Sequence, residues 1–136
     1  MKKLQAELLL DARASLGEGP VWRESEQALY WVDIIAGQLW RHDFEKGLTA
    51  HRDFGQCVTM CCLTGDGGVV AALRKSLVRL DDVGEEGPRV LLDAVEPEAP
   101  GNRFNDGKPD ARGRLLIGTM DWDKRPGLGA LYCLEE

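Results

Sequence analysis

The stretch NRFNDGKPDARGRLLIGTMD at positions 102–121 crowds arginine, asparagine, aspartate and lysine around a strand-like apolar run. Polar side chains this dense either make a turn or hold a ligand. Arg103 presents its donors in a fixed planar fork, which suits closely spaced oxygens or a developing oxyanion. Asp106 and Gly107 read instead as turn chemistry, positions 110–114 as the hairpin turn that follows, and Lys108 as solvent-exposed. A nitrogen or sulfur metal centre has little to build on. Cys57, Cys61, Cys62 and Cys133 form no CxxC pair, and neither His42 nor His51 lies beside a cysteine cluster. Any metal must therefore be held by oxygen ligands, and the cysteines read as reduced, mostly buried small hydrophobes.

The elements that would position these groups follow from composition and pattern. A chain of 136 residues with 43% hydrophobic and 29% charged residues is one ordinary globular domain. Its net charge of -6 argues against binding a phosphate backbone, so nucleic acid is not an expected partner. The opening MKKLQAELLLDARASLG is basic at its start, but Glu7 and Asp11 cut its apolar run too short for a signal core or a membrane span. The expected location is cytoplasmic, without a membrane partner.

Short strand-like runs alternate with turn signals, and apolar residues keep a helical period only weakly, near positions 4–10. The runs are 20–22, 28–33, 38–43, 49–54, 58–63, 68–73, 76–81, 89–92, 104–108, 114–119 and 129–134. Turns are expected at IIAG, GDGG, ARGR and PGLG. Trp22, Trp31 and Trp40 fall on the strands of one unit and are expected in its core. Written under one another, the runs repeat about every 40 residues with up to four strands per unit, the signature of propeller blades. The sequence reads as all-β, with blades at about 12–55, 56–95 and 102–136. The run 3–10 is placed as the outer strand of a last blade.

SLGEGPVWRESEQALYWVDI together with NRFNDGKPDARGRLLIGTMD resembles the senescence marker protein 30, gluconolactonase and regucalcin family, in register with the first half of its members. LYWVD alone also resembles the YWTD repeats of receptor ectodomains. The family resemblance implies a six-bladed β-propeller, of which about three four-stranded antiparallel blades are present here. It further implies hydrolysis of a sugar lactone with one divalent metal ion, Ca, Zn, Mg or Mn, in the central channel.

By the same resemblance Glu18, in GEGP, matches the family's glutamate metal ligand. Arg103 and Asn105, in RFND, match substrate-contacting residues, and Asp123 falls where many members carry a substrate-binding acid. From residue type alone Glu18 is an ordinary surface carboxylate. Trp122 beside Asp123 is read either as part of a substrate lid or as plain packing. The family's remaining metal ligands and its general-base aspartate belong to its second half and match nothing in this sequence, so no catalytic residue is assigned. One carboxylate is a poor cage for a hard cation that takes six or more oxygens. A second copy or a separately encoded C-terminal half is the expected partner that closes the ring. The competing reading is a non-catalytic propeller-like interaction module.

Overall fold

A computed structural model describes residues 3–84 and 86–135, so Glu136, the last residue of the third expected blade, and Glu85 in the second lie outside the described residues. Among the described residues the architecture is all-β, with a single 3-10 turn at Glu24–Glu26. The first sheet is a meander of β1 (Gly17–Arg23), β2 (Ala28–Asp33), β3 (Gln38–Asp43) and β4 (Leu48–Asp53). The second repeats it with β5 (Met60–Leu63), β6 (Val69–Ala72), β7 (Leu77–Leu80) and β8 (Arg89–Leu92). The third has three strands, β9 (Asn102–Pro109), β10 (Leu115–Asp121) and β11 (Leu131–Leu134). All pairings are antiparallel. The first strands of the three sheets adjoin, β1 against β5 and β5 against β9, so the sheets stack side by side as blades.

Alternation along each strand decides which residues face which blade. In β6 Val69 and Ala71 pack with Tyr30, Val32 and Leu39 of the first blade. Their neighbours Val70 and Ala72 pack with Phe104, Leu115 and Ile117 of the third. The middle sheet is thus buried on both faces, which explains why GVVAAL is a continuous apolar run rather than an alternating one. Cys61 and Cys62 divide between the same two cores, and all four cysteines are unpaired thiols.

Polar clasps reinforce both seams. Buried Arg23 reaches from β1 into the β5–β6 turn, donating to the carbonyl oxygens of Gly67 and, at 2.6 Å, Gly68, while Glu26 neutralises it at 2.8 Å. At the opposite end Lys75 Nζ donates to the carbonyls of Val95, Glu96 and Ala99 at 3.3, 2.7 and 2.6 Å.

Two expectations change. Asp106 and Gly107 do not turn the chain but lie inside β9, at a bulge where the register slips by one residue between Phe104 and Gly107. The cause is long-range. A Cβ at position 107 would stand 2.9 Å from the Ile117 side chain and the Leu116 carbonyl, so glycine lets two strands approach. The tryptophans are not in the core. Trp31 and Trp40 stack at 5.6 Å on the face of the first sheet turned away from the second, with His51 stacked on Trp40 at 4.4 Å, and Trp22 is 41% exposed. Residues 3–10 form neither helix nor strand, and the last blade whose outer strand they are expected to supply is not among the three sheets. Leu4 is 96% exposed, and a strand needs a paired neighbour for its backbone that this segment lacks among the described residues.

Gly37 closes the β2–β3 turn at a φ of +71°, donating its N–H to Asp33 O at 2.9 Å, and a Cβ there would collide with the Gln56 carbonyl. Gly37→Ala is expected to cost more than about 2 kcal/mol, from left-handed backbone strain plus overpacking. Urea unfolding checks it.

Candidate functional site

The leading ends of β1 and β9, the β2–β3, β6–β7 and β10–β11 connections and the link from β4 to β5 all lie at one end of the blades. They form a rim. Asp33, 2% exposed, organises its first sector by accepting from the backbone N–H groups of Ser15 at 2.7 Å, Leu16 at 3.1 Å and Ala36 at 3.1 Å. Burial pushes the Asp33 carboxyl up, but those amides and that of Ile35 outweigh it and hold it below its ordinary value. The segment entering β1 is thereby fixed, and with it Glu18, which is exposed beside a one-residue bulge between Glu18 and Val21.

Asp121 does the same for the third sector. It accepts from the amides of Asp123 at 3.0 Å and Arg125 at 3.2 Å and pairs with the Arg125 guanidinium at 2.6 Å. That guanidinium holds its carboxyl at about 2. Between these anchors Arg103 is half-buried. Its Nη1 donates to Phe104 O at 2.8 Å and Asn105 Oδ1 at 3.2 Å, and its guanidinium lies 5.2 Å from the centre of the Trp122 ring. Burial pushes the Arg103 pKa down, and the nearby Cys57 and Glu18 oppose that. Arg103 remains a cation. Glu18 and Arg103, from blades one and three, are therefore within electrostatic reach of each other, and Asn105 stands beside Arg103.

Asp123 is placed differently. Its side chain is exposed and its charge acts on Arg125, while the residue of that loop facing the rim cavity is Trp122. The cavity has a volume of about 540 Å³. It is lined by Ile35 and Ala36, by Gly55, Gln56 and Cys57, and by Arg74 and Trp122. Sequence reading missed Arg74 and Cys57. Arg74 was accessible through the repeat itself, since LYWVDI, VVAALR and IGTMDW put Ile34, Arg74 and Trp122 at the same place in successive blades.

Also missed was the buried cluster behind β9. Glu96, 8% exposed, accepts from Asn102 Nδ2 at 2.9 Å, Thr119 Oγ1 at 2.8 Å and Tyr132 OH at 2.9 Å. Burial raises its pKa, but these three donors and the Lys75 charge win, leaving it below its ordinary value. A carboxyl depressed in the folded state stabilises the fold above its unfolded pKa and loses that contribution as pH falls through the folded value. Asp33, Glu96 and Asp121 all have this sign. Stability measured by urea midpoint is expected to be flat from pH 7 to about 5 and to fall from about pH 4 toward 2. An unchanged midpoint at pH 3 would contradict it.

No group of three histidine, cysteine, aspartate or glutamate side chains among the described residues is arranged to hold a metal ion. Glu18 is a lone carboxylate whose charged neighbour is the Arg103 cation, so these residues do not build a metal centre by themselves. No helix among the described residues is long and apolar enough to cross a membrane.

The family model described as SMP-30/Gluconolactonase/LRE-like region matches residues 16–136. The 6-deoxy-6-sulfogluconolactonase of Pseudomonas putida is 39% identical over 110 residues, covering 81% of this chain and 37% of that protein. The L-arabinolactonase of Azospirillum brasilense is 34% identical over 132 residues, covering 96% of this chain and 43% of that one. Among solved structures, a calcium-binding protein, regucalcin, from Agrobacterium tumefaciens superimposes with a TM-score of 0.78 at 25% identity, over 88% of this chain and 40% of its own. The chain spans less than half the length of these relatives. Its sheets, its rim and this match over nearly all of its length agree: the chain belongs to the SMP-30/gluconolactonase/LRE-like family.

Proposed function

We propose that this chain supplies one wall of a site that hydrolyses a sugar lactone. The observation that carries the reading is the convergence of Glu18, Arg103 and Asn105 on one rim, from the leading ends of β1 and β9. In it Arg103 binds substrate oxygens through the guanidinium donors it does not spend on Phe104 and Asn105. Asn105 uses its Oδ1 on Arg103, which leaves its amide N–H groups for a hydroxyl or ring oxygen of the sugar. Trp122 gives a flat apolar surface behind the guanidinium.

The proposed cofactor is one divalent cation, with Glu18 as a single oxygen ligand and the others contributed from outside this chain; the calcium-binding relative supports that class of ion. Asp123 is proposed to reach substrate only if the loop holding Trp122 closes over the rim. The half that closes the ring is proposed to be a second copy or a separately encoded polypeptide, and four free thiols suit a reducing cytoplasm.

The test is lactone hydrolysis with added divalent metal, by this chain alone and by the chain mixed with a polypeptide carrying the remaining blades. Activity is expected only in the mixture, to depend on the metal, and to drop about 10²-fold or more in Arg103→Gln. Glu18→Gln is expected to weaken the metal dependence sharply. Absence of hydrolysis in every mixture, or full activity in Glu18→Gln, leaves the non-catalytic interaction module as the reading.

A further inference from the structure

The rim cavity has one arginine, Arg74, in its wall and a second, Arg103, against its Trp122. Arg13, Arg23, Arg41, Arg79, Arg114 and Arg125 are each paired with a carboxylate at 2.6 to 3.6 Å. Arg74 and Arg103, like the exposed Arg89 and Arg112, are in no such pair among the described residues, but of these four only Arg74 and Arg103 are at the cavity. Arg74 makes one hydrogen bond, from Nη2 to the Pro100 carbonyl at 3.2 Å, and its side chain lines the cavity. Both guanidiniums act electrostatically on the same thiol, Cys57, which lies in the cavity wall. Arg74 thus stands in the cavity wall, and Arg103, outside that lining, lies against Trp122, which belongs to it; the net charge of the chain is -6.

Their surroundings differ in a way that divides the labour. Arg103 has Glu18 near it and spends donors on Phe104 and Asn105. Arg74 has a single carbonyl partner, and its remaining donors are open to a ligand. The two are tied together through the backbone, because the Phe104 N–H donates to the Arg74 carbonyl at 2.8 Å. A forked donor held at the mouth of a cavity, without an internal counter-charge, is built for a planar or tetrahedral oxyanion.

We infer that the site takes a sugar bearing a negatively charged substituent, a carboxylate, sulfonate or phosphate, and that Arg74 is the residue that reads this group. The inference rests on the lactone reading for the reacting end of the molecule and adds the chemistry of its other end. Arg103 holds the sugar, and Arg74 selects the charged member of the class.

The experiment titrates the chain with glucose, glucuronate and glucose 6-phosphate at physiological salt, following amide and indole N–H shifts by NMR. Glucuronate and glucose 6-phosphate are expected to bind at least about tenfold tighter than glucose, one charge-assisted contact's worth. Arg74→Gln is expected to bring both down to the level of glucose with an unchanged urea midpoint, since one exposed hydrogen bond is lost. Arg112→Gln removes the same charge from the exposed turn after β9 and is expected to keep the full preference. Equal binding of all three sugars, a preference that survives Arg74→Gln, or its equal loss in Arg112→Gln overturns the inference. Hydrolysis of a neutral lactone by the ring-completed protein, with no gain for a charged one, would sink this inference and leave the lactonase reading standing. Arg74-dependent binding without hydrolysis of any lactone would do the reverse.

Discussion

Phe104→Ala is expected to destabilise the chain by about 3–5 kcal/mol, the usual cost of deleting a fully buried aromatic ring. Phe104 is 0% exposed and fills the seam between the second and third blades, among Met60, Cys62, Val70, Leu77, Leu115 and Ile117. It sits between Arg103 and Asn105 on β9, and its own N–H holds the Arg74 carbonyl. The ring is thus the inward-facing residue whose packing aims both outward-facing neighbours at the rim. Urea unfolding measures the loss. Phe104→Leu, which keeps most of the volume, is expected to cost less than half as much. If Phe104→Ala unfolds at the same midpoint as the parent, the third blade does not dock as described.

Glu96→Ala is expected to cost a similar amount, about 3–5 kcal/mol, by a different route. Asn102, Thr119 and Tyr132 would lose their common acceptor inside the protein. Thr119 keeps the Ala130 carbonyl and one Asn102 N–H keeps that of Leu128, so the Tyr132 hydroxyl and the other Asn102 N–H are left unpaired, at about 1–3 kcal/mol each. Glu96→Gln keeps one acceptor oxygen but not the charge, so its cost should fall between parent and alanine variant. The measurement is again the urea midpoint, at pH 7 and at pH 3. Because the charged form is what the cluster favours, the gap between parent and Glu96→Gln should narrow at the lower pH. Asn102 opens β9 one residue before Arg103, so sugar binding is expected to weaken in Glu96→Ala even below its unfolding midpoint.

Much of this fold is legible because local rules and tertiary structure agree. The bounds of β2, β3 and β8 fall at 28–33, 38–43 and 89–92, where period-two alternation ends at a turn residue. The misreadings come where a distant contact decides. Asn105–Asp106–Gly107 has the composition of a turn, yet the close approach of Ile117 makes it a bulge within a strand. Three tryptophans suggest a core by size, but only the side of β2 carrying Ala28, Tyr30 and Val32 meets another blade.

The site divides along the same line. Glu18 and Asn105 were singled out by resemblance, since nothing in their residue types distinguishes them from other surface groups, and Arg103 by its fork of donors as well. That β1 and β9 carry them to the same end of the blades is a fact of the fold. Arg74 could have been found by aligning the repeats to each other instead of to a family, because it interrupts an otherwise apolar position. Glu96 could not, since its partners come from β9, β10 and β11 and its burial exists only once the third blade is in place.

The stack of half-buried Trp31 and Trp40 with His51, on the face of the first sheet that residues 7–12 partly line, gives the chain a built-in optical gauge. Any blade that seats there takes two indoles out of water, so tryptophan emission should shift to shorter wavelength as the complex forms. Binding at the rim, by contrast, touches Trp122 alone. Closure and ligand capture can therefore be followed separately in the same unlabelled sample, with Trp122→Phe silencing one signal and sparing the other.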